Sequence, residues 1–120
     1  MKKRIMVIDD DKDILEILNI LLEGEGFEPL IFNTGLPAQQ ILDINPDLVL
    51  LDVRIDRYEK TGVEICQEVK SLKEPTGFPI LLLSSEDNLG ALARQCGADG
   101  YVNKPFNIDG LLVKLKNFVL

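Results

Sequence analysis

Hydrophobic residues in this chain follow two rhythms. Short runs rich in Val, Ile and Leu cover 4–9 (RIMVID), 28–32 (EPLIF), 47–52 (DLVLLD), 79–85 (PILLLSS) and 100–103 (GYVN). Most are apolar at consecutive positions, as strands covered on both faces require. Between them the apolar residues recur at helical spacing. The first such segment, 13–25, repeats Ile14, Leu18, Leu21 and Leu22, with Asp11 placed to cap it and Gly24 or Gly26 to end it. The last, from Ile108, repeats Leu111, Leu112, Leu115, Phe118 and Val119. Asn107 is its candidate cap, and Lys114 and Lys116 lie toward the end where cations suit the helix dipole. Segments 36–44, 62–72 and 88–96 complete the helices. Strands alternating with helices in this way predict an α/β domain, its parallel strands joined by right-handed crossovers and its helices on both faces.

Composition narrows the class. At 120 residues, nearly half of them apolar, the chain suits one domain with a single core, read as 1–120 without linker, repeat or low-complexity segment. A formal charge of −7 disfavours direct binding to nucleic acid or to an anionic membrane surface, both of which need clustered Lys and Arg. Cys66 and Cys96 lack metal-knuckle or Cys-x-x-Cys spacing and read as small buried apolar residues in a reducing compartment. The basic start MKKR is followed by an apolar stretch that Asp9 breaks, too short for a signal peptide or membrane span. A cytoplasmic location is the expectation.

The candidate chemistry sits where the runs end. In open α/β sheets, ligands bind at the carboxyl ends of the strands, near the point where strand order reverses. The first run ends in Asp9 and Asp10, the third in Asp52. If those strands are neighbours, three carboxylates converge, and a bound hard cation is the simplest relief for their repulsion. Magnesium suits best, because it needs only one or two carboxylates and keeps waters that a phosphate replaces. Asp11 reads separately, as a helix cap. The fourth run ends in Ser84 and Ser85, hydroxyls able to donate to a phosphoryl oxygen, and the fifth leads to Lys104, a point charge for a carboxylate or phosphate. Acidic pair, lone Asp, hydroxyl and Lys together outline a phosphoryl-transfer site.

Those residues, in that order and spacing, resemble the receiver domain of two-component response regulators, the chemotaxis-regulator-like module phosphorylated on aspartate by a histidine kinase. The likeness rests on VIDDD, LVLLDV, LLLSSE and GADGYVNKPF and covers essentially the whole chain. It implies a flavodoxin-like fold, with a parallel sheet of strand order 2-1-3-4-5. Asp52 would be the phosphoacceptor. Asp10 and Asp52, with the backbone carbonyl of Arg54, would hold Mg2+ directly, and Asp9 partly through water. Ser84 would bond the new phosphoryl group, Lys104 would pair with Asp52 before transfer and with phosphate after it, and Tyr101 would follow Ser84 inward. A cis peptide would join Lys104 to Pro105. The implied partners are a histidine kinase or phosphotransfer protein, a downstream protein or output domain, and a second copy docking through helix 4, strand 5 and helix 5. On this likeness the domain is a phosphoryl acceptor and not a turnover enzyme.

The sequence also departs from the family pattern. After Asp52 stands VRIDRYEKTG, longer and more charged than the usual loop and without its proline, and the segment from Ser84 to Lys104 is shorter. Arg54 and Glu86, each two places beyond a site residue, read either as an ion pair across the pocket that hinders the hydrolytic water or as two solvated charges worth little. Two other readings lack a residue they require. A haloacid-dehalogenase-type phosphatase needs a second acid where Arg54 stands, and a nucleotide-binding module needs a phosphate loop where DDDKD stands. A receiver-like docking module that takes no phosphate is the remaining alternative.

Overall fold

The apolar runs form five parallel strands: β1 (Arg4–Ile8), β2 (Glu28–Phe32), β3 (Leu48–Leu51), β4 (Ile80–Ser84) and β5 (Gly100–Asn103). Between and after them run α1 (Lys12–Gly24), α2 (Ala38–Ile44), α3 (Gly62–Leu72), α4 (Leu89–Cys96) and α5 (Ile108–Val119). The structure, a computed structural model, describes residues 1–119. The strand order is β2-β1-β3-β4-β5, the flavodoxin-like order that the resemblance implied.

Successive side chains of a strand point to opposite faces, so the sheet carries two apolar layers. Met6, Ile8, Val49, Leu51, Ile80 and Leu82 pack with residues of α2, α3 and α4, while Ile5, Val7, Leu48, Leu50, Leu81 and Leu83 pack with residues of α1 and α5. Full burial on both faces holds for β3, β4 and all but the first residue of β1. It does not hold for β2 or β5: they are the sheet edges, partly exposed, with Tyr101 and Asn103 of β5 facing solvent. The buried stripe of α1 is Leu15, Leu18 and Leu22, rotated from the expected one, so that Ile14 and Leu21 are only half-buried. In α5 only Leu111 and Leu115 are buried, and Phe118 is exposed.

Helix ends follow local chemistry. Asp11 accepts from the N–H groups of Asp13 (2.9 Å) and Ile14 (3.4 Å), and Asn107 accepts from Gly110 N–H (2.8 Å). Thr61 and Glu64 satisfy each other's backbone donors in a capping box that starts α3. Pro37 disfavours a helical conformation in the residue before it, so α2 begins at Ala38 instead of Leu36. The Arg4 guanidinium donates to the carbonyls of Ile44 (2.6 Å) and Asn45 (2.7 Å), covering the C-terminal end of α2. The Lys104–Pro105 peptide is cis, as expected, and so is Glu74–Pro75. No helix among the described residues is long and apolar enough to cross a membrane.

Candidate functional site

Because β1 and β3 pair directly, with Ile8 beside Leu51, the residues that follow them leave the sheet together. Asp9, Asp10 and Asp52 each bring a carboxylate oxygen to within 4.8 Å of the others. Asp9 is fully buried, Asp52 is 6% exposed and Asp10 is half-buried.

Lys104, just past β5, reaches into this cluster. Its Nζ donates to Asp9 Oδ2 at 2.7 Å and lies 3.5 Å from Asp52 Oδ2. The sequence paired Lys104 with Asp52; the structure places it between two carboxylates and closer to Asp9. Asp9 is the more deeply buried of the two, and a buried carboxylate needs a compensating donor more than an accessible one does. Its other oxygen accepts from Asp11 N–H at 2.9 Å, so both oxygens are engaged. Asp10 Oδ2 accepts from Asp56 N–H at 2.9 Å, which ties the loop after β3 to the acidic pair.

These surroundings set the proton affinities. Burial, followed by the negative charge of Asp9, pushes the Asp52 carboxyl up from 3.8 to about 7 against the opposing pull of Lys104. Burial alone would lower the Lys104 ammonium, but its contacts with Asp9 and Asp52 raise it overall, so it stays charged. Three converging hard oxygen donors with one cationic side chain fit a divalent cation of the magnesium kind, since further positive charge would favour the ionised form of Asp52.

Ser84 ends β4, buried, and its Oγ accepts from Glu86 N–H at 3.3 Å. Lys104 N–H donates to the Ser84 carbonyl at 2.9 Å, so the hydroxyl and ammonium positions share one backbone bridge. Tyr101 lies on the outer side of β5, 39% exposed, its ring close to Gly90 of α4. Lys114 of α5 donates to the Tyr101 carbonyl at 2.8 Å and sits 5.6 Å from the ring centroid, a cation–π contact.

A family model described as the response regulator receiver domain matches residues 5–116. The chain belongs to that family. The receiver is 34% identical over 119 residues to the DNA-binding response regulator MtrA of Mycolicibacterium paratuberculosis, covering 97% of this chain and 51% of MtrA. It therefore spans about half the length of the curated relatives it matches. Among solved structures, the BeF3-activated DrrB receiver domain has a TM-score of 0.79 at 32% identity, with 98% of this chain and 97% of that one covered. Chemotaxis protein CheY4 of Vibrio cholerae has a TM-score of 0.80 at 25% identity, with both chains covered completely.

Within this receiver, the loop after β3 is where sequence reasoning missed most. Gly62 opens α3 against the backbone of Asp52: a Cβ there would lie 1.9 Å from the Asp52 carbonyl oxygen, and Gly62 N–H donates to the Val53 carbonyl at 2.8 Å. Only glycine allows that approach, which sets how the chain leaves Asp52. The residues of this loop are held as well. Ile55 is buried, and Tyr58 packs on the larger apolar layer with its ring filling the space that a Cβ on Gly35 would take. Lys60 pairs with Glu68 of α3 at 2.5 Å. Arg54 and Glu86 form an ion pair, with Arg54 largely exposed and Glu86 mostly covered. A glycine after a loop and an aromatic inside one were the available signals, but neither names its contact without coordinates.

Proposed function

We propose that this receiver accepts a phosphoryl group on Asp52 in a Mg2+-dependent reaction, with the phosphohistidine of a histidine kinase or phosphotransfer protein as donor. The observation that carries this reading is the position of the Asp52 carboxylate: at the end of a central strand, beside Lys104, with Asp9 and Asp10 converging on it. An oxygen of Asp52 attacks phosphorus, the P–O bond forms as the P–N bond to imidazole breaks, and the departing imidazole keeps its electron pair and takes up a proton. The nucleophile must be ionised, and Lys104 favours that form. Asp9 and Asp10, with Asp52 and the Arg54 carbonyl, are the groups that would hold magnesium, which when bound supplies positive charge against the transferring oxygens.

Ser84, buried at the end of β4, is placed to turn its hydroxyl toward the new phosphoryl group, and Lys104 then shares its charge with phosphate instead of with Asp9 and Asp52 alone. Movement of Ser84 frees space behind β4, and Tyr101 follows inward from its exposed position. The surface of α4, β5 and α5 thereby changes its affinity for a downstream protein, an output domain or a second copy of the chain. The domain acts in the cytoplasm as a phosphoryl acceptor, not as a turnover enzyme, and its charge of −7 argues against contacting DNA itself.

Intact mass after incubation with acetyl phosphate, with and without Mg2+, tests the reading on wild type and Asp52→Asn. A single Mg2+-dependent phosphate adduct on wild type, absent in the variant, is expected. A folded wild type that takes no adduct under any condition would overturn it in favour of a docking module.

A further inference from the structure

Two thiols meet in the seam between α3 and α4, away from the acidic cluster. Cys66 is fully buried on α3, and Cys96, the last residue of α4, is 4% exposed. The Cys66 Sγ donates to the Cys96 carbonyl oxygen at 3.4 Å, and the Cys96 Sγ donates to the Ala93 carbonyl oxygen at 3.6 Å. Both side chains therefore occupy the same seam, and the Cys66 sulfur is already in contact with the backbone of Cys96 itself. Neither cysteine serves the phosphoryl-transfer cluster.

The surroundings give the two sulfurs different reactivity. The neighbouring Cys66 side chain, then backbone N–H groups and last the Lys70 ammonium, bring Cys96 down from 9.0 to about 7 against the effect of burial, while the Cys96 side chain and burial push Cys66 up. Lys70 is held nearby by Asp99, 3.2 Å away, and its stem passes 3.8 Å from where a Cβ on Gly97 would lie. Cys96 is also the more accessible of the two, with exposed Arg94, Gln95 and Gly97 around it at the end of the helix. The arrangement puts the more accessible sulfur at the end of one helix and a second thiol beside it on the neighbouring helix, the placement of an attacking and a resolving cysteine.

We propose that Cys66 and Cys96 are a reversible peroxide-responsive thiol pair whose disulfide ties α3 to α4. The Cys96 thiolate attacks one oxygen of hydrogen peroxide: the S–O bond forms, the O–O bond breaks, and hydroxide leaves and is protonated to water. The Cys66 sulfur, giving up its proton, then attacks the Cys96 sulfenic sulfur. The S–S bond forms, the S–O bond breaks, and the departing hydroxide takes that proton as a second water. Each sulfur has lost one electron and each peroxide oxygen has gained one. The bond fixes the end of α4 to α3, the helix that begins against the Asp52 backbone. Its effect on switching rests on the function proposed above, but its formation does not.

The test treats the folded, reduced chain with hydrogen peroxide in EDTA, then unfolds it, alkylates free thiols and measures intact mass. The expected product takes up no alkylating reagent, is lighter by about 2 Da for the two thiol hydrogens lost, and returns to the reduced mass with dithiothreitol. Cys66→Ala and Cys96→Ala should each abolish it, and amide exchange in α4 should slow in the cross-linked wild type. Two alkylatable thiols after a treatment that cross-links the urea-unfolded chain would overturn the proposal. So would oxygen addition without cross-linking. Because the readout needs neither phosphodonor nor magnesium, its failure is separable from failure of the phosphorylation assay.

Discussion

Replacing Asp52 with asparagine should stabilise the metal-free domain at alkaline pH while removing its chemistry. The folded-state pKa of Asp52 is raised from 3.8 to about 7, so between those values the folded chain binds more protons than the unfolded one. Stability therefore falls as pH rises through that window and levels off above it. At about 1.4 kcal/mol per pH unit the full effect is about 4 kcal/mol, and relaxation around the ionised group leaves about 2 to 4 kcal/mol to be measured. Asparagine has the same shape, keeps an acceptor oxygen and never ionises. Urea unfolding followed by circular dichroism, in EDTA from pH 4 to 8.5, should show a gap in favour of Asp52→Asn that opens across the window and is constant above it. Magnesium at ten times its dissociation constant should then raise the wild type by about 1.4 kcal/mol and the variant by less. Equal stabilities at pH 8 in EDTA, or a gap that closes as pH rises, would refute the account of Asp52 as a carboxylate strained by burial and by Asp9.

Two further substitutions probe the surroundings. Gly62→Ala forces a Cβ against the Asp52 carbonyl and should cost about 3 kcal/mol or more in chemical denaturation; a neutral result would mean that α3 can shift without disturbing the site. Arg54→Ala combined with Glu86→Ala should shorten the lifetime of the Asp52 phosphoryl group a few-fold, measured by loss of the intact-mass adduct. An unchanged lifetime would remove the ion pair as a shield against water.

The central strands and the convergence of the acidic residues were legible because each left a one-dimensional mark, whereas the strand order followed from the resemblance to the receiver family. The runs of β1, β3 and β4 are apolar at successive positions, and their ends carry Asp9, Asp10, Asp52 and Ser84 in the sequence itself. Edge status was marked only faintly: β2 carries Glu28 and Pro29 and β5 carries Gly100 and Asn103 where β3 is wholly apolar, and the sheet order shows that these two strands have a free side. The α1 stripe was displaced because Ile14, Leu15, Leu18, Leu21 and Leu22 satisfy two overlapping helical faces, and packing against the sheet chose the one containing Leu15. The preference of Lys104 for Asp9 was hidden because three nearby carboxylates are equivalent in sequence and differ only in burial. Gly62 and Tyr58 were opaque for a related reason, since their partners, Asp52 and Gly35, are set by how a loop closes on itself.

The placement of the two tyrosines gives this domain a built-in optical readout. The chain has no tryptophan, and its two tyrosines stand in separate places, Tyr58 in the loop bordering the acidic cluster and Tyr101 on the outer side of β5. Intrinsic ultraviolet emission therefore comes from one reporter in the loop after Asp52 and one on the exposed side of β5. In Tyr58→Phe the remaining signal belongs to Tyr101, and in Tyr101→Phe it belongs to Tyr58. Stopped-flow recordings on the two single-tyrosine proteins can time events at the loop and at β5 separately without an added dye.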